Sequence, residues 1–93
     1  MADLGMIMEL EKEAGKEMER IDKIMKNLEV VDSKADSLVK VINSYYQDSK
    51  SFFEKKRYLQ ALETSFIVWA YVDAGLHLRV FKIPDELKKM FTV

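Results

Sequence analysis

Asp73 and His77 stand four residues apart in the segment WAYVDAGLHL, where almost every other side chain is apolar. On a helix that spacing puts a carboxylate and an imidazole on one face, within reach of each other. Burying a lone carboxylate is costly, so Asp73 needs a hydrogen-bond donor or must be neutralised. If the chain folds back on itself near Lys56, Asp73 comes level with Val39 to Val41, and Tyr45 is the nearest phenol. A structural bond from a tyrosine hydroxyl or from His77 is the expected account. Ligand binding is the alternative, because perturbed acids gather at functional sites. Asp48, beside Tyr45 and Tyr46, completes a candidate polar site of Tyr45, Asp48, Asp73 and His77.

The same residues make poor catalysts. The antiparallel register separates Asp48 from Asp73 by about two turns, roughly 10 Å, too far for a shared metal. A hydrolytic carboxylate pair also needs a substrate cleft, which a small bundle seldom provides. His77 is the only histidine, and no HExxH motif or Asp-rich loop accompanies it. The absence of cysteine excludes a thiolate metal site, a Cys nucleophile and a disulfide framework together. Ser49 and Ser65 fit close helix packing better than nucleophilic chemistry. No catalytic, metal or cofactor site is expected.

Lys55, Lys56 and Arg57, followed by Tyr58, are the one basic cluster that could touch phosphate. Three cations at a helix C-terminus also compensate its dipole, and no aromatic–basic interleaving continues from them. Formal net charge is −1, with ten acids and seven bases up to Gln47, then six acids and eight bases. Such a balance leaves no strong field for nucleic acid or acidic membrane.

Positioning falls to helices. With three glycines and one proline in 93 residues, the chain lacks the turn-makers a sheet protein requires. Its length suits a single domain spanning residues 1–93. Asp3 is placed to cap a first helix whose apolar positions are Ile7, Leu10, Ala14, Met18, Ile21, Met25 and Leu28. A turn is expected over Glu29–Asp32, with Ser33 capping a second helix from Lys34 to about Lys56. Its seam is Ala35, Leu38, Ile42, Tyr45, Ser49 and Phe52, broadened by Val41, Tyr46 and Phe53.

After a break at Lys55–Arg57, the third helix runs from Tyr58 to about Val80. It carries one stripe of Leu62, Ser65, Trp69, Val72 and Leu76, and a second of Ile67, Tyr71, Ala74 and Leu78. A helix so apolar should be central and covered on two sides. Pro84 then starts a short final helix over Asp85–Met90, with Leu87 and Phe91 folding across the bundle. The sequence therefore predicts an all-α fold, an up-down-up three-helix bundle with a short C-terminal helix.

The longest apolar run, Phe66 to Val72, is too short to span a bilayer. The opening MADLGMIMELEKE lacks the form of a secretory signal, so a cytoplasmic location is expected.

The block from Tyr45 to Leu78, with its YYQDS, RYLQALE and WAYVDAGLHL segments, resembles an archaeal family called domain of unknown function 357. Tyr46, Asp48, Trp69, Ala70, Asp73, Gly75 and Leu76 look like its signature. The resemblance implies a small three-helix bundle from an archaeal, cytoplasmic source, and it supplies no catalytic residues. Fusions to a nucleotidyltransferase-like domain, associated with the family, imply an accessory role. A fainter similarity runs to toxin-like helical hairpins, where an Arg precedes a His by several residues. Here Arg79 follows His77, which departs from that pattern.

Surplus apolar side chains such as Val39, Phe53, Phe66, Met90 and Phe91 compete for a limited interior. They point to a non-catalytic protein-interaction module that self-associates or docks on a larger partner. The alternative is an accessory domain of a nucleotide- or RNA-handling enzyme, resting on the basic turn and the family association.

Overall fold

The computed structural model describes residues 3–93. Three long helices, α1 (Leu4–Asn27), α2 (Asp36–Glu54) and α3 (Tyr58–His77), pack up-down-up, and a 3-10 helix over Asp85–Met90 closes one end. The Asp3 carboxylate caps α1 as expected, accepting the Gly5 N–H at 2.9 Å. Ala14, Met18, Ile21 and Ile24 form the buried edge of α1. At 1.5 Å per residue α1 is about 36 Å long and outreaches its neighbours. Its first turns, with Leu4, Met6, Ile7 and Met8, consequently stay exposed.

The expected first turn contains more order than a loop. Glu29–Val30 forms a strand, β1, that pairs antiparallel with β2, Phe81–Lys82, in the register Glu29↔Lys82 and Val30↔Phe81. Asp32, not Ser33, is the cap that follows. Its carboxylate accepts the Lys34 N–H at 2.9 Å and opens a 3-10 turn, Ser33–Ala35, before α2 begins. The β-branched Val30 and Val31 favour extended backbone over a simple turn.

The C-terminal ends of α2 and α3 are both closed by backbone rather than by glycine. At the α2–α3 junction Lys56 takes φ 61°, with the Lys56 N–H donating to Phe53 O and the Arg57 N–H to Phe52 O. At the far end Arg79 takes φ 60°, with Arg79 N–H to Leu76 O and Val80 N–H to Gly75 O. Each is a Schellman closure, a left-handed residue that redirects two otherwise unpaired helix carbonyls. The second one ends α3 at His77, three residues before the expected Val80.

The stripe Leu62, Ser65, Trp69, Val72 and Leu76 does face inward, but the second stripe is not covered: Tyr71, Ala74 and Leu78 are exposed. In a triangular bundle a helix meets both neighbours within one arc. Here Ala61, Ser65, Val68, Val72, Gly75 and Leu76 supply that arc. Val41, expected to widen the α2 seam, is likewise exposed. Ser49 and Ser65 are fully buried, where their size permits close approach. The Ser49 hydroxyl meets Thr64 Oγ1 at 2.7 Å, and the Ser65 hydroxyl donates to Ala61 O at 2.6 Å.

Ile21, Ile24, Ile42, Val68 and Val72 fill the middle of the core; Phe81, Ile83 and Leu87 seal its ribbon end. Among the described residues, no helix is long and apolar enough to cross a membrane.

Candidate functional site

The four candidate polar residues do not converge. Tyr45 on α2 stacks against Tyr71, with ring centroids 6.2 Å apart and planes 24° apart. Asp48 is exposed beside a shallow groove lined by Lys40, Asn43, Ser44 and Gln47. Only Asp73 and His77 meet, and the residue that joins them is Thr92, from the C-terminal segment.

Asp73 accepts twice from this threonine. Its Oδ1 takes the Thr92 N–H at 3.2 Å, and its carboxylate takes the hydroxyl at 3.0 and 2.8 Å. His77 Nε2 lies 2.5 Å from Thr92 Oγ1 and 3.8 Å from Asp73 Oδ1. A hydroxyl has one proton and a carboxylate can only accept, so Thr92 donates to Asp73 while its Oγ1 takes a hydrogen bond from His77 Nε2. The order Asp–Thr–His fastens the chain end to α3.

Lys55, Lys56 and Arg57 are exposed together at the α2–α3 turn. The Arg57 guanidinium covers the Phe52 ring at 5.5 Å, which leaves the two lysines as the freer cations of the three.

Two polar links between helices escaped sequence reasoning. The Trp69 indole N–H donates to Glu17 Oε2 at 2.8 Å, while Arg20 binds Glu17 Oε1 at 2.7 Å and lies 5.1 Å above the indole. Phe91 packs on the other side of Trp69, 4.9 Å between centroids. On α2, the Tyr46 hydroxyl donates to Asp22 of α1. Burial, followed by that bond and the nearby negative charge, raises the Tyr46 pKa to about 12. The clue for both lay in the donors: a half-buried indole or phenol needs an acceptor. Which acid answers depends on helix rotation, which one sequence does not reveal.

Two open grooves remain. The larger, about 820 Å³, lies between the ribbon and the last turn and is lined by Leu76, Arg79, Phe81, Ile83 and Lys88 among others. The smaller, about 520 Å³, runs beside Phe66, Trp69, Ala70, Asp73 and Phe91. Among the described residues no three His, Cys, Asp or Glu side chains cluster as a metal site would require.

The profile of a family described as "Protein of unknown function (DUF357)" matches residues 10–81. The chain belongs to that family. A solved DUF357 structure, protein AF1782 from Archaeoglobus fulgidus, superposes with a TM-score of 0.72 at 28% identity. The match covers 85% of this chain and 99% of that one. No curated protein is significantly similar. The DUF357 match takes in Asp73, His77 and the ribbon as far as Phe81, but stops short of Thr92. The fastening of the chain end therefore lies partly outside the family's shared stretch.

Proposed function

We propose that this DUF357 protein is a non-catalytic, cytoplasmic interaction module that docks a protein partner through the outer face of α3. The observation that carries this reading is the run of apolar side chains left in water there: Leu59, Phe66, Tyr71 and Leu78, with Ala70 and Ala74 between them. A monomer rarely leaves a contiguous apolar patch uncovered, whereas scattered exposed side chains need no explanation. The polar residues nearest to that face support the same reading, since Asp73 and His77 are engaged with Thr92. Tagged wild type and Phe66→Asp should be compared for what they capture from an archaeal extract. The reading expects protein retained by wild type and lost from the variant; identical captured sets would overturn it.

An accessory role in a nucleotide- or RNA-handling assembly is favoured by one observation, the joint exposure of Lys55, Lys56 and Arg57. That reading expects RNA binding which weakens on charge reversal at the three positions, with a flatter salt dependence. An apolar docking face is indifferent to the same change.

A further inference from the structure

We propose that Trp69, Asp73 and His77 on α3 form a receptor for a partner protein's extended segment in which an aromatic residue precedes a serine or threonine. In this chain Phe91 and Thr92 fill that receptor in cis, and they must leave before a partner enters. The inference is separate from docking on the outer face of α3 and survives its failure.

What the site recognises can be read from what it holds. Phe91 packs on the Trp69 indole with 4.9 Å between centroids. The indole is fixed without it, because its N–H donates to Glu17 Oε2 at 2.8 Å. One residue further on, Asp73 takes both the backbone N–H of Thr92, at 3.2 Å, and its hydroxyl, at 2.8 Å. Serine or threonine offers those two donors from one residue to one carboxylate. His77 Nε2 meets the same hydroxyl at 2.5 Å. Bonds to an ionised carboxylate are the stronger kind, and with an aromatic anchor beside them they orient a short segment.

The occupant is held in a way that lets it leave. Leu87, 3% exposed, anchors the 3-10 turn, whose closing backbone bond is Phe91 N–H to Lys88 O at 3.0 Å. Beyond it, among the described residues, no backbone–backbone bond ties Thr92 or Val93 to the rest of the chain. Both are exposed, and Thr92 is retained by the side chains of Asp73 and His77. Such an end opens locally at far lower cost than the bundle unfolds. The receptor, by contrast, stands on two long helices. Glu17, Trp69, Asp73 and His77 all lie within the stretch that the family profile matches, whereas Phe91 and Thr92 lie outside it.

The full chain carrying Phe91→Ala with Thr92→Ala empties the receptor, and circular dichroism checks that it keeps its helices. It should be titrated with an acetylated peptide of residues Lys88 to Val93, followed by calorimetry and by emission of the only tryptophan. The emptied chain should bind saturably, with its emission returning towards that of wild type. Wild type should bind about tenfold more weakly or less, since a cis segment in place about nine-tenths of the time scales apparent affinity by that factor. A peptide with Thr92→Val should lose about fivefold or more, the worth of one such hydrogen bond. Asp73→Asn in the emptied chain should weaken the parent peptide comparably. A folded emptied chain that shows no saturable binding up to millimolar peptide overturns the proposal. So does one that binds no better than wild type, or that does not distinguish threonine from valine. If the double variant fails to fold, Thr92→Ala alone takes its place under the same criteria. A wild-type dimer in sedimentation that Thr92→Ala abolishes means that two copies exchange ends, which rejects a separate partner. None of these measurements uses Phe66→Asp, so docking on the outer face is judged independently.

Discussion

The Phe81 ring lies so close over Gly75 that a Cβ at position 75 would overlap its edge. Phe81 cannot easily yield: it is 2% exposed and its backbone pairs with Val30. Glycine inside a helix ordinarily costs about 1 kcal/mol relative to alanine. Here the relation reverses. Gly75→Ala should destabilise by about 1–3 kcal/mol, the usual range for overpacking a core. Truncating the ring in that variant, as Gly75→Ala with Phe81→Leu, should recover part of the loss. Urea titrations of the two variants measure both effects, and a Gly75→Ala protein as stable as wild type contradicts the packing.

Lys56 and Arg79 hold φ near +60° at the closures of α2 and α3. A side chain in that region costs on the order of 1 kcal/mol, and glycine avoids the strain while adding disorder to the unfolded chain. Lys56→Gly and Arg79→Gly should therefore each stabilise by about 0.5–1 kcal/mol. The two sites are at opposite ends of α3, so their effects should add. Lys55→Gly, one residue away at ordinary φ, should bring no gain. Thermal melts of the three single variants and the Lys56–Arg79 double variant test this, and a loss of stability in either predicted stabiliser counts against the closure.

Alkaline sensitivity should arise at the Tyr46–Asp22 bond that ties α1 to α2. The folded phenol ionises near pH 12 and the unfolded one near 10. Protonated Tyr46 is thus favoured by folding. Its contribution is fully present below pH 10 and is lost as pH rises towards 12. Tyr46→Phe should cost about 1–2 kcal/mol at pH 8, as loss of a hydrogen bond to a carboxylate does. The gap between wild type and variant should narrow above pH 10. A gap that stays constant from pH 8 to 12 would falsify the assignment.

Helical periodicity made the bundle legible, because burial imposes spacing on residues that touch one core. Ala14, Met18, Ile21, Ile42, Ser49, Val72 and Leu76 all lie on the stripes read from sequence. The break at Lys55–Arg57 was legible for a different reason, a change of seam between helices. The ribbon was not, since two residues per strand are too few for alternation to show. Nor was the open face of α3: composition says a helix is greasy, not how many neighbours cover it. Asp73 was recognised as a residue in need of a partner. The donor proved to be Thr92, nineteen positions away in a segment without periodicity. That link depends on the 3-10 turn at Asp85–Met90 bringing the chain end back along α3.

Asp73 and Thr92 should accordingly behave as one structural unit. Thr92→Val keeps the shape and removes the hydroxyl bonds to Asp73 and His77, leaving only the Thr92 N–H contact. With the site partly open to water, the loss should be modest, about 1 kcal/mol. Asp73→Ala should cost a similar amount, and the double variant scarcely more, giving a coupling of about 0.5–1 kcal/mol. Phe91 adjoins Thr92 and packs on Trp69, so loosening the fastening should also change the fluorescence of the only tryptophan. His77→Gln should preserve most of the stability, because its amide can still donate to Thr92 Oγ1. If Asp73 instead serves a ligand, Asp73→Ala will leave stability and tryptophan emission unchanged, and the cycle will show no coupling to Thr92. Denaturant titrations of the four proteins in the cycle, read by tryptophan emission, separate the two roles.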